Sequence, residues 1–362
     1  MIPPLPPSTS PFRFLILDGI GGVPLGLELA TALQADGHTA IHFDCLKQKT
    51  RPFYGIRSAC AKLLDKEADK DGFYLLPKLA SPTLADLVAR TAPTHILVAG
   101  FIYKFFDPHE LRRIADTCRA TLLLYDTDSC NLYGKRREFL FFIENELPVY
   151  HRIFSFSQVT TRFFGETRQL PVTHLPFGAN PIATPDHAPP SIDTLFVGSG
   201  DLRRILLLEA IRKNVTVFGN RWRRNYPLIS RELQARIHDT PVWGKELHSL
   251  LGQSRIVLNI TRTDFYGAET GVNLRIFEAV AAGCFLLTDY CEELEELFEI
   301  GHEIEVFRSA SELADKVHYY LTHEDKRQAI ARQGHERFMR EHTWTARARE
   351  LCSHLSTKFP KD

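Results

Sequence analysis

The run Gly271-Val-Asn-Leu-Arg-Ile-Phe-Glu278, closed by Gly283 and leading into Cys-Phe-Leu-Leu-Thr-Asp289, carries the residue types of a nucleotide-binding turn and helix. A glycine-introduced helix with Asn273 near its start and Gly283 just past its end presents free backbone N–H groups at its N-terminus, which suits a diphosphate. Gly271, Val272 and Asn273 are therefore candidate diphosphate contacts. Glu278 falls about one and a half turns further along, where one carboxylate could accept both hydroxyls of a ribose. The same spacing also fits a core helix packed by Leu274, Phe277 and Val280 with Arg275 and Glu278 paired on its surface.

A second glycine turn, Phe196-Val-Gly-Ser-Gly-Asp-Leu-Arg-Arg204, joins a strand to a helix and offers Ser199, Gly200 and two arginines. Arg203 and Arg204 could neutralise phosphate by forked hydrogen bonds, or simply be solvated on a first helical turn. The turn lacks the full dinucleotide glycine pattern. Elsewhere, Leu122-Leu-Leu-Tyr-Asp-Thr-Asp128 sets two carboxylates either side of one residue. Asp126 and Asp128 could hold a divalent ion on a diphosphate, act as acceptor base or ligand, or cap the next helix. Asp18, beside the glycines of Asp18-Gly-Ile-Gly-Gly22, could be a general base or a turn former.

Positioning such groups requires strands that end at a common edge. Phe12–Leu17, Ala40–Phe43, Thr94–Ala99, Thr121–Tyr125 and Arg152–Ser155 read as short buried strands, separated by helical stretches such as Leu25–Gln34, Thr83–Arg90 and Pro108–Cys118. This alternation predicts a parallel sheet with helices on both faces. A proline-rich break at 176–190 follows. The alternation then restarts, with strands at Thr194–Val197, Val215–Phe218, Ile256–Ile260 and Phe285–Thr288 and helices at Arg203–Arg212, Lys245–Gly252 and Asn273–Ala282. From Glu312 the chain reads as helical, ending in an amphipathic stretch from Trp344 to Lys358.

Composition excludes several classes. A chain of 362 residues suits two domains, and 44% hydrophobic content supplies sizeable cores. Lys+Arg and Asp+Glu both number 44, so no broad positive field exists for general nucleic-acid or acidic-membrane binding, although a local basic pocket is compatible. Seven scattered cysteines indicate neither a disulfide framework nor a zinc knuckle. No apolar run approaches the ~20 residues of a membrane span, and the Pro/Ser-rich start does not read as a signal peptide. A cytoplasmic setting without a transmembrane segment is the simplest expectation.

Taken in order, Phe196-Val-Gly-Ser, Arg203 or Arg204, Val217-Phe-Gly-Asn-Arg-Trp222, Ile256-Val-Leu-Asn-Ile260, Asn273-Leu-Arg-Ile-Phe-Glu278, Gly283, His342-Thr-Trp344 and Arg347 or Arg349 resemble the C-terminal half of glycosyltransferases of the spore-maturation CgeB-like group. The likeness covers about residues 192–350. It implies an α/β GT-B fold: two facing Rossmann-like domains with a deep interdomain cleft. The implied layout is a Pro-rich arm (1–11), an acceptor domain (12–178), a linker (179–191), a donor domain (192–343) and a C-terminal helix returning towards the first domain (344–362). The resemblance further implies a nucleotide-diphosphate sugar as donor and an unidentified acceptor hydroxyl. Glu278 would bind the ribose, the Gly271–Asn273 turn with Arg203 or Arg204 the diphosphate, and the stretch around Val242 to Glu246 the base. Lys245 is a further phosphate candidate.

Many retaining GT-B enzymes carry two glutamates with seven residues between them. Here that position is Thr270 and the carboxylate is Glu269, which leaves the stereochemical outcome open. Asp18, Asp126, Asp128 and Glu269 are thus the candidate catalytic carboxylates. No metal and no cofactor beyond the donor is expected, because a helix N-terminus and arginines supply the positive charge. Two other classes share the fold: a catalytically inactive nucleotide- or glycan-binding protein, and a nucleotide-sugar epimerase acting on the donor alone.

Overall fold

The computed structural model describes residues 11–68, 73, 75–183 and 190–356. Most of the Pro-rich arm and residues 184–189 of the expected linker lie outside the described residues. The chain divides into two compact units, one running to Leu175 and resuming at Ala348, the other Pro176–Arg347.

The first unit is built on six parallel strands: β1 (Arg13–Asp18), β2 (Thr39–Asp44), β3 (His95–Ala99), β4 (Thr121–Asp126), β5 (Arg152–Ser155) and β6 (Val172–His174). They lie in the order β2-β1-β3-β4-β5-β6. The central strands are apolar runs because both sheet faces are covered, so every residue of β1 after Arg13 is buried. Leu15, Leu17, Ile96, Val98, Leu122, Leu124 and Ile153 pack with Phe105, Phe106 and Phe142 into one core. The helix Trp344–Ser356 enters this unit at Ala348, where the Arg349 guanidinium pairs with Asp36 at 2.7 Å.

The second unit has its own six parallel strands: β7 (Ile192–Val197), β8 (Val215–Phe218), β9 (Ile237–His238), β10 (Ser254–Asn259), β11 (Leu286–Asp289) and β12 (Glu305–Phe307). Their order is β12-β11-β10-β7-β8-β9. The chain therefore winds one way from β7 and the other way from β10. These adjacent strands flank a topological switch point, where the loops at the strand carboxyl ends separate and leave room for a ligand. The three strands not expected from the sequence, β6, β9 and β12, are edge strands of two or three residues, too short to show a period.

His342-Thr-Trp344 is a strap within the second unit. Ala179 N–H donates to the His342 carbonyl at 3.2 Å, and Trp344 N–H donates to the Ala179 carbonyl at 3.0 Å. His342 Nδ1 faces the Arg347 guanidinium at 2.7 Å and Nε2 faces the Leu297 carbonyl at 3.0 Å, so the neutral ring accepts from one and donates to the other. Burial first, and then Arg347, push the His342 pKa down to about 4. The unfolded chain, with histidine near 6.5, binds a proton that the folded chain does not between about pH 6.5 and 4, so stability falls as pH is lowered through that window. Relative to a His342→Asn variant, the wild type should lose up to about 3 kcal/mol across it. Denaturant midpoints of the two proteins measured from neutral to acid pH check this, and parallel curves would refute it.

Candidate functional site

The turn after β7 and the loop after β10 meet at the switch point of the second unit. Asp201 caps the helix Leu202–Ala210 by accepting from Arg204 N–H at 3.0 Å, which fixes the two arginines on the first turn. Arg204 is buried, and all three of its guanidinium nitrogens donate to carbonyl oxygens. Nε and Nη2 reach Ile260 at 3.0 and 2.7 Å, and Nη1 reaches Ser199 at 2.9 Å. Burial lowers its pKa to about 10, so it stays charged at neutral pH. With its fork satisfied, Arg204 braces the two loops against each other.

Arg203 is placed differently. Its Nη1 donates to the Thr261 carbonyl at 3.0 Å and to Asp289 Oδ2 at 2.7 Å, while its guanidinium stacks 3.5 Å above the Tyr266 ring. The side chain keeps 19% of its surface exposed, so part of the cation remains available to an anion. Asp289, the last residue of β11, also accepts from Thr261 N–H at 2.9 Å and Thr261 Oγ1 at 2.9 Å. This buried carboxylate is the hub that sequence reasoning missed.

The Gly271 turn is attached to the same hub. The Thr261 hydroxyl contacts the Gly271 carbonyl at 3.4 Å, and a Cβ at position 271 would lie 3.0 Å from Cys291 Sγ and 3.1 Å from Thr261 Oγ1, so only glycine fits without a shift. Asn273 caps the helix Leu274–Ala281 through Oδ1, which accepts Arg275 N–H at 3.0 Å. Its Nδ2 donates to Asn259 Oδ1 at 3.0 Å and to the Gly271 carbonyl at 3.2 Å. Ile276 N–H bonds the Asn273 carbonyl. The Asn273 and Leu274 N–H groups have no protein acceptor among the described residues and are the ones left for an anion.

Ser199, Arg203, Arg204, Gly271 and Asn273 are thus joined by one hydrogen-bonded assembly through Ile260, Thr261 and Asn259. Gly200 and Val272 are buried beside it in the same loops. Arg275 and Glu278 lie along the helix as a pair 2.6 Å apart, with side chains 13% and 18% exposed. Val242 is buried and Lys245 exposed at the start of the helix Gly244–Gly252, and neither touches the assembly through a described hydrogen bond. Glu269 is exposed, with a left-handed φ of 58° in the loop before Gly271.

In the first unit, Asp18 ends β1, buried, with Oδ2 2.8 Å from His42 Nε2 and Oδ1 accepting Ile20 N–H at 2.9 Å. Gly26 packs so closely on this carboxylate that a Cβ there would lie 2.5 Å from Oδ2. Asp126, at the end of β4, accepts from Ser129 N–H and Oγ, Asp128 N–H and Ser155 Oγ at 2.8–3.3 Å. Burial raises its pKa against these donors. Four protein bonds occupy its lone pairs and make it the anchor of the following turn. Asp128 is half-buried and accepts Asn131 Nδ2 at 2.7 Å.

Two parallel, helix-covered sheets of this kind are shared with solved glycosyltransferases. Alr3699/HepE from Anabaena, in complex with UDP and glucose, superposes with a TM-score of 0.62 at 14% identity, covering 96% of this chain and 100% of that one. A glycosyltransferase from Rickettsia africae gives 0.61 at 14% identity, covering 95% and 98%. The sucrose-phosphate synthase of Thermosynechococcus elongatus gives 0.59 at 13% identity, covering 95% and 98%. The fold is that of the GT-B glycosyltransferases, with two Rossmann-like domains. Residues 203–353 moreover match the family described as glycosyl transferase-like, a stretch that begins at Arg203 and contains Gly271, Asn273, Glu278 and Asp289. No curated protein sequence matches the chain significantly.

Proposed function

We propose that this protein is a glycosyltransferase that moves a sugar from a nucleotide-diphosphate donor to an acceptor hydroxyl, in the line of the CgeB-like group. The observation that supports this most is the assembly around Asp289, which joins Arg203 and the Gly271–Asn273 turn at a switch point inside the glycosyl transferase-like stretch. In this reading the Asn273 and Leu274 N–H groups and Arg203 take the diphosphate, and Ser199 and Gly200 shape the opposing loop under the brace of Arg204. Glu278, steered by Arg275, takes the ribose, while Val242 and its neighbours take the base and Lys245 adds a phosphate contact. Donors already aimed at the departing diphosphate stabilise the charge that develops in the transition state, which is where catalysis is gained.

The first unit takes the acceptor in this proposal. Asp18 and its partner His42 form a carboxylate–imidazole pair able to receive the hydroxyl proton, with Asp128 as a second candidate and Glu269 facing the oxocarbenium-like sugar. No metal is required, since the arginine and helix terminus supply the positive charge.

A thermal-shift panel of nucleoside diphosphates tests the donor site, beginning with UDP, which Alr3699/HepE holds. A nucleotide at a hundred times its Kd stabilises the folded state by about 2.7 kcal/mol, enough for a shift of several degrees. Donor turnover that depends on added acceptor and survives a chelator is the expected result. Conversion of the donor alone would identify an epimerase, and binding without turnover a binding protein. Loss of transfer with chelator and recovery with magnesium would return a metal to the mechanism.

A further inference from the structure

We infer that the helix Tyr54–Ala68 and the turn before it form a docking face for an anionic lipid surface. Residues 45–63 contain five basic residues, Lys47, Lys49, Arg51, Arg57 and Lys62, and no acid, in a chain whose net charge is zero. The acids resume only at Asp65, near the far end of the helix. This segment therefore holds a local positive excess that the whole-chain balance conceals.

Its large aliphatic and phenyl side chains, Leu46, Phe53, Ile56 and Leu63, are displayed rather than buried. Ile56, Cys60 and Leu63 recur at intervals of four and three, the spacing of one helix face, and Phe53 immediately precedes the helix. Phe53 is 79% exposed, Ile56 67% and Leu63 67%. Phe53 does so from a left-handed backbone, φ 54°, unusual for a bulky side chain. The other side of the helix is anchored, with Ser58 buried and the Tyr54 hydroxyl donating to the Leu76 carbonyl at 3.0 Å. Lys47, Lys49 and Arg57 are exposed nearby in sequence, and Lys47 reaches Asp44 at 3.0 Å while remaining 83% exposed.

An apolar stripe with basic neighbours is the pattern of an interfacial helix, whose large side chains enter the acyl boundary while cations meet the headgroup phosphates. A nucleic acid would use the cations but offer nothing to Ile56 and Leu63. No helix among the described residues is long and apolar enough to cross a membrane, so the contact is peripheral. The charge decides for an anionic lipid over a second copy of the chain, because two copies of this face would oppose their positive segments.

Co-sedimentation with vesicles tests it. The full chain should bind vesicles of phosphatidylcholine mixed with phosphatidylglycerol, bind phosphatidylcholine alone far less, and be released by salt. Phe53→Ser combined with Ile56→Ser should weaken partition about tenfold or more, from the loss of two buried apolar side chains. Lys47→Glu combined with Lys49→Glu should weaken it comparably and abolish the preference for phosphatidylglycerol. All four positions are exposed, so unfolding temperature and nucleotide binding should stay at wild-type values. Absence of binding to the mixed vesicles, or equal binding by wild type and both variants, would overturn the inference. So would a wild-type dimer in sedimentation velocity that the Phe53 and Ile56 changes dissolve while vesicle binding is nil. A failed donor screen would leave these outcomes untouched.

Discussion

Asp289→Ala should cost the second unit about 3–5 kcal/mol of stability, the range for removing one partner of a buried, hydrogen-bonded charge pair. The carboxylate is 3% exposed and receives Arg203, Thr261 N–H and Thr261 Oγ1. Alanine would leave those three donors without their acceptor and Arg203 facing the sheet edge without its counterion. A surface comparison sets the scale: Glu232→Ala breaks the Arg212 pair, whose side chains are 43% and 45% exposed, and should cost well under 1 kcal/mol. All three tryptophans, Trp222, Trp243 and Trp344, belong to the second unit, so their fluorescence during urea unfolding reports on it. A midpoint for Asp289→Ala no lower than that for Glu232→Ala would show that the hub does not hold the loops together. With Arg203 released, the surviving folded protein should also bind nucleotide more weakly.

Much of this arrangement was legible in the sequence because it rests on local chemistry. The central strands announce themselves as apolar runs: Val215–Phe218 and Arg152–Ser155 fall where the sequence put them. Asn273 is recognisable as a helix cap, and its geometry bears that out, whereas the tight fit of Gly271 against Cys291 and Thr261 is visible only in the fold. What sequence could not show is pairing across distance. Arg203 and Arg204 are neighbours with the same chemistry, yet one meets Asp289, 86 positions away, and the other the carbonyl of Ile260, 56 away. Asp289 follows the strand expected at Phe285–Thr288 and carries no signal of its own in the sequence. Its importance comes from parallel register, which sets Asn259 opposite Thr288 and so brings the loop after β10 beside the end of β11.

The same limit applies in the first unit. His42 was one of fifteen histidines, set apart only by the pairing of β2 with β1 that places it opposite Ile16, two residues before Asp18. Spacing alone leaves Asp126 open as a metal ligand, an acceptor base or ligand, or a cap; its bonds from Ser129 and Ser155 depend on the following turn and on the pairing of β4 with β5, which spacing does not show. The helix Tyr54–Ala68 is not legible in the sequence as an amphipathic core helix, since its apolar residues Ile56 and Leu63 alternate with basic and small residues and are exposed.

Glu278→Ala should weaken nucleotide binding tenfold or more while leaving the fold intact. A ribose offers two hydroxyl donors, an ionised carboxylate can accept both, and bonds to a charged group contribute about 1.5–3 kcal/mol each, where about 1.4 kcal/mol is a factor of ten. The competing account is the 2.6 Å pair with Arg275, an i,i+3 contact within one helix. Such a pair stabilises a helix by only about 0.2–0.5 kcal/mol. If pairing is all that Glu278 does, Glu278→Ala and Arg275→Ala should lower stability by similar small amounts and neither should change affinity. If it holds the ribose, the loss should depend on the ribose hydroxyls. Titration calorimetry of wild type and Glu278→Ala, each with a nucleoside diphosphate and its 2′-deoxy form, closes a cycle that isolates this coupling. The variant should discriminate between the two nucleotides less than the wild type does. Equal discrimination by the two folded proteins would place the ribose elsewhere and detach Glu278 from the donor site.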